Sequence, residues 1–223
     1  MLFKEGKEGE FVMKLRTNRL EALVDGVFAI VLTVLMLSFS EAFDLKDVVS
    51  EDAFYQLFAS LGNDFFAYVI CFLLLGVLWF EHHRQSHFIK HADSVSVFLS
   101  FLWLMFVTFL PFSTLMLGNH EKFIFPVFIF EMNILIVTIF LYIHWAYATD
   151  HHRLVDPALN RKVIVANRRV SGLCVLFPLI AVCLCPFFPL VSLLSLIGVP
   201  LLMVFRFLRS QEYFQDFIVK ERE

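Results

Sequence analysis

Apolar residues gather in runs about as long as the roughly 20 residues a helix needs to cross a bilayer core. The first, Leu20–Phe39, is interrupted only by Glu21 and Asp25. The second, roughly Leu61–Phe80, carries Asp64 near its start. Ser94–Leu117 holds no charged residue, and Phe123–Ala148 holds only Glu131. From Val170 to Phe205 no charge occurs at all, a run too long for one crossing. Pro186 and Pro189 sit near its middle, and proline removes a backbone donor and disfavours helix at the residue before it. The run therefore divides into a fifth helix, about Val170–Cys185, and a sixth, about Leu190–Leu208. The expected fold is an all-α membrane protein with about six transmembrane helices in one domain, residues 18–208, between short charged tails, 1–17 and 209–223.

The charges outside these runs orient them. With the N-terminus in the cytoplasm, every Lys and Arg except Lys46 and Lys122 falls on the cytoplasmic side, as the positive-inside bias requires. An odd number of spans would move the basic C-terminal residues Arg206, Arg209, Lys220 and Arg222 outside and spoil the bias. The expected location is the cell membrane, multi-pass, with both termini cytoplasmic. The loop from Ser40 to Ser60 is acidic, with Glu41, Asp44, Asp47, Glu51 and Asp52 against Lys46. It reads first as a solvated loop and second as a cation-concentrating pore mouth.

Composition fits. The chain is 59% hydrophobic with 29 Phe and a mean hydropathy of +0.76, well above a soluble domain. The net charge of −3 says little about partners by itself, and no nucleic-acid partner is expected. Cys71, Cys174, Cys183 and Cys185 lie inside apolar runs without a CxxC pair and read as small buried hydrophobes. Glu5, Glu8 and Glu10 mix with the lysines ahead of the first run, which does not look like a cleaved signal peptide.

Helix 1 carries the unusual chemistry. Asp25 lies inside a spanning segment, where a carboxylate normally faces protein or water. At about 100° per residue, Ile30, Thr33, Val34 and Leu37 form one stripe about 100° wide, and Asp25 points about 140° away from Ile30. Periodicity alone reads that stripe as lipid-facing or packed aliphatic surface. Arg19 and Asp25, six apart, are not an i,i+4 pair, so Asp25 should find its donor on another helix, with Trp79, His82 and His83 the candidates.

The segment Arg19-Leu-Glu-Ala-Leu23-Val24-Asp25-Gly-Val-Phe-Ala-Ile30 resembles the helix 1 signature of the transmembrane-protein-175 family of potassium channels: Arg, three residues, then Phe-Ser-Asp, commonly followed by Gly-Val-Phe-Ala-Ile. Trp79-Phe-Glu-His82-His83 and Leu110-Pro111-Phe112 are similar to further family features at the ends of helices 2 and 3. Leu23 and Val24 stand where the signature has Phe and Ser, and Val24 cannot supply the hydrogen bond of a Ser hydroxyl. The resemblance implies a homotetramer with helix 1 lining a central pore for potassium ions, without a Thr-Val-Gly-Tyr-Gly filter and without a cofactor. It places apolar rings at Ile30, Val34 and Leu37, a hydroxyl layer at Thr33, and a signature network on Arg19, Asp25, Trp79, His82 and His83. An apolar ring charges a passing ion part of its hydration shell, and Na⁺ holds that shell more tightly than K⁺.

Two rival readings remain. His83, His87 and His91 at i, i+4 and i+8, beside His82 and with His151 and His152 on the same side, suggest a metal-dependent membrane enzyme. Those enzymes, however, use several separate histidine boxes. Asp25, Glu131 and the histidines also suit a proton or non-selective cation pathway on the same scaffold. Glu131 itself needs a partner, near Asn133 or on another helix. The expectation is a potassium channel subunit, passive and non-enzymatic, with the bilayer, potassium ions and its own copies as partners.

Overall fold

The computed structural model describes residues 17–40, 50–120 and 123–202, and among these it is built from helices. They are α1 (Thr17–Ser40), α2 (Glu51–Ser60), α3 (Gly62–Phe88), α4 (Ser94–Thr108), α5 (Leu110–Leu117), α6 (Ile124–Thr149), α7 (Arg161–Leu184) and α8 (Pro189–Ser195). Five stretches are long and apolar enough to span a bilayer: Thr17–Ser40, Gly62–Phe88, Ser94–Leu117, Ile124–His152 and Arg161–Leu184. A shorter apolar stretch, Pro189–Leu202, follows.

The differences from the expected segments have local causes. The helix of Ser94–Leu117 is interrupted at Phe109 between α4 and α5, where Pro111 has no N–H to give to the carbonyl four residues back. The fifth span begins at Arg161, ahead of Val170, because Asn160 caps it by accepting from the Lys162 N–H at 2.8 Å. Arg168 and Arg169 thus belong to the helix. The acidic loop contains a ten-residue helix, α2, whose first turn is capped by the Ser50 hydroxyl accepting from Ala53 N–H at 3.2 Å. The sixth segment starts as expected, but its continuation to Leu208 lies outside the described residues, as do most of both tails. Cys183 is exposed, unlike the other three cysteines, because it falls on the outer face of α7.

Packing separates the subunit into two sides. α1 packs on α3, α4 and α5, whereas α7 packs on α6 and α8, with α6 joining the halves. The inward positions of α1 are Val24, Phe28, Val31 and Leu35, spaced four, three and four apart as one helix face demands. Phe28 reaches Trp103 with ring centroids 5.5 Å apart. In a bilayer such contacts stabilise through close packing and interhelical hydrogen bonds, since lipid tails are as apolar as the core.

Near the end of α3 that the positive charges mark, the core turns polar. Glu81, His82 and Gln85 continue the buried stripe of Cys71, Leu74, Leu75 and Leu78, so their polar groups need partners. The Arg84 guanidinium donates to both Glu81 and Asn167 of α7, and the Gln85 amide donates to Ser171 Oγ at 3.1 Å. Beyond this, Ile89 pairs with Val155, tying the end of α3 to the α6–α7 connection. That connection turns through His151 and His152, both in the left-handed backbone region at φ 49° and 54°.

Candidate ion pathway along helix α1

The side of α1 opposite its packed face is left exposed by the described residues. Ile30 and Leu37 are 63% and 62% exposed, Val34 is 39% exposed, and Thr33 is exposed. The centre of this stripe lies about 140° from the centre of the buried one at 100° per residue. Leu23, Met36 and the small residues Ala22, Gly26 and Ala29 are exposed as well, so the bare arc is wider than the stripe. The Thr33 hydroxyl donates to the Ile30 carbonyl at 2.7 Å. That bond uses its only proton and leaves the oxygen lone pairs as acceptors, suited to a cation. Ser38 and Ser40 donate to Val34 and Leu37 carbonyls at 3.0 Å and 2.7 Å.

Asp25 lies off the stripe, on the side of α1 that meets α3. The Trp79 indole Nε1–H donates to its Oδ1 at 2.8 Å, so of the three candidate donors the tryptophan of α3 makes the contact. His83 stacks on Trp79 with centroids 5.3 Å apart and planes 16° apart, backing the indole. His82 points elsewhere: it is buried, stacks on Trp103 at 4.6 Å and on His144 at 6.2 Å, and meets Ser86 at 3.4 Å. One residue along a helix turns the side chain by about 100°, so adjacent histidines serve different contacts. Arg19 is exposed and forms no ion pair among the described residues. Val24, where the signature has Ser, is buried in the apolar core, and Leu23 is 39% exposed.

The histidines do not assemble as a metal site. α3 ends at Phe88, so His91 lies beyond the helix and does not continue the face of His83 and His87. No group of three or more His, Cys, Asp or Glu side chains placed to hold a metal occurs among the described residues. His144, which the sequence reading passed over, joins the buried network instead and bonds Ser96 Oγ at 2.9 Å through Nε2.

Glu131 finds its partner across the chain. Ser192 of α8 donates to its Oε1 at 2.5 Å, while Oε2 is buried with no hydrogen-bond partner among the described residues. The Asn133 amide bonds to Ser113 at 3.3 Å. Glu131 is therefore held on the α6–α8 side, away from the α1 stripe.

Comparison with known proteins converges on the same region. Residues 19–111 match the family described as endosomal/lysosomal potassium channel TMEM175. A potassium channel of Streptomyces collinus is 36% identical over 109 residues, covering 48% of this chain and 50% of that one. The endosomal/lysosomal proton channel TMEM175 of Bos taurus is 41% identical over 102 residues, covering 44% of this chain and 21% of that one. The matches span about half the length of the bacterial relatives. In fold, the chain superimposes on a crystal structure described as a lysosomal potassium-selective channel TMEM175 homologue from Chamaesiphon minutus. The TM-score is 0.74 at 24% identity, over 85% of this chain and 97% of that one.

Proposed function

We propose that the chain is a member of the TMEM175 family of channels, whose model matches residues 19–111, and that it is one subunit of a homotetrameric potassium channel whose pore is lined by α1. The observation that carries the reading is the bare stripe. Ile30, Thr33, Val34 and Leu37 lie on a helix whose other face is packed, and the described residues leave them exposed. Four copies meeting at a central axis would cover the stripe and narrow the path with apolar side chains. The apolar rings oppose hydration of the passing ion, and the Thr33 oxygens return part of the lost coordination. Na⁺, with its tighter shell, meets the larger barrier.

In this reading the signature network acts on the pore from behind. Trp79 holds Asp25 and fixes the rotation of α1, while His83 holds Trp79. The subunit sits in the cell membrane with both termini cytoplasmic, in one membrane domain over residues 18–208, and uses no cofactor. Current through reconstituted protein under a potassium gradient tests the proposal directly. Potassium current with little sodium current is expected, and its absence from well-folded tetramer contradicts it. A second reading, proton conduction on the same scaffold, is favoured by the names of the animal relatives, which are proton channels. A reversal potential that follows the pH gradient rather than the K⁺ gradient would select it.

A further inference from the structure

We propose that the groove between α6 and α7 binds an anionic phospholipid of the leaflet on the basic side of the protein. The groove encloses about 350 Å³ and is lined by Tyr142, Val165, Arg168, Arg169, Gly172 and Val175. Its polar rim and its apolar floor match the two parts of such a lipid.

Arg169 is the last charged residue before the charge-free run that begins at Val170, which sets the two arginines at the boundary between water and hydrocarbon. Helix α7 contains no Asp or Glu, and neither arginine forms an ion pair among the described residues. Arg168 is nevertheless aimed: its Nε donates to the Tyr142 hydroxyl at 3.2 Å, and its guanidinium carbon lies 5.9 Å from the Tyr142 ring centre. Two guanidinium groups at this depth, paired with no carboxylate among the described residues, suit a phosphate, which accepts their forked donors. Basic pockets between spanning helices on this side are a recognised mode of headgroup binding.

The floor suits an acyl chain. Gly172 presents no side chain, and the nearest atom to a Cβ placed there is Tyr142 Cε2 at 3.8 Å. Leu176 and Leu179, 44% and 46% exposed, continue the same face of α7 toward the bilayer centre. The groove is also on the right side of the molecule. α7 packs on α6 and α8 while α1 packs on α3, α4 and α5, so an assembly around α1 leaves α7 facing lipid. The orientation rests on the pore reading, but the lipid measurement requires no conduction, so its failure leaves that reading standing.

The test is native mass spectrometry and lipid-dependent thermal shift on purified full-length protein with phosphatidylglycerol or phosphatidylcholine. Preferential retention of phosphatidylglycerol is expected. Arg168→Gln/Arg169→Gln should weaken it by about five-fold per arginine removed. Gly172→Leu should reduce retention of phosphatidylglycerol by filling the floor without changing charge. Arg161→Gln/Lys162→Gln, an equal change of charge nearer the start of α7, should cost less. Equal retention of both lipids, equal loss from the two double variants, or the same thermal shift from inorganic phosphate alone would each overturn the proposal.

Discussion

At Asp25, one hydrogen bond joins α1 to α3 beside their apolar contact. The acceptor stands on an exposed part of α1, so the bond from Trp79 contributes an ordinary net amount, about 1 kcal/mol. Trp79→Phe should therefore lower the thermal unfolding midpoint of purified protein, whereas Asp25→Asn, which keeps a side-chain oxygen acceptor, should lower it less. Equal midpoints for wild type and Trp79→Phe would mean that the indole–carboxylate contact contributes nothing. Which of the three candidates would reach Asp25 was not legible in the sequence. Trp79, His82 and His83 are near neighbours on one helix, and only the rotation of α3 against α1 separates them. The partner of Glu131 was hidden for a different reason. Ser192 is 61 residues away, and no local spacing connects them. Glu131→Gln keeps the oxygen that Ser192 bonds and removes the cost of a charge in the span. Unfolding in detergent should show it at least as stable as the parent, and a clear loss would show that the negative charge itself is required.

Among the elements, α3 is joined to α7 by the bond from Arg84 to Asn167, and the same guanidinium pairs within α3 with buried Glu81. Glu81 is 1% exposed, so removing the Arg84 guanidinium weakens the charge compensation of a carboxylate in a poorly solvated place. Arg84→Met should cost about 3 kcal/mol or more, and Glu81→Gln/Arg84→Met should recover part of that loss, read by chemical or thermal unfolding. A double variant worse than Arg84→Met would exclude charge pairing as the cause. The sequence carried a signal for this pair, since Glu81 and Gln85 continue the apolar stripe of Leu74 and Leu78 at helical spacing. A polar residue in a core stripe demands a partner. Five of the six expected spanning segments were legible, because runs so long and so poor in charge leave few alternatives in a bilayer, and the rest of the sixth lies outside the described residues. The true start of α7 was not legible. Its first turns carry basic residues that read as loop, yet Ile164, Asn167 and Ser171 pack inward while the charges point out.

For the whole molecule, the paired faces of α1 have opposite fates. Val24, Phe28, Val31 and Leu35 pack inside the subunit, and the stripe of Ile30, Thr33, Val34 and Leu37 is the face that the proposed assembly would cover. A pore role could not come from periodicity, which describes a lipid-facing stripe equally well; only the family resemblance suggests it. The positive charges predict that reporter fusions at Glu223 and within Glu41–Glu51 will lie on opposite sides of the membrane, and finding both on one side would contradict the topology. The central claim is tested most directly by the reversal potential under biionic K⁺/Na⁺ conditions for Ile30→Asn beside the parent. Amide side chains at that ring hold water and cations, so the dewetting barrier falls. The account predicts a larger total cation current and a reversal potential shifted toward equal permeability. Leu32→Asn, off the stripe, should harm packing without changing selectivity. An Ile30→Asn channel with the parent's conductance and reversal potential would show that α1 does not line the pore.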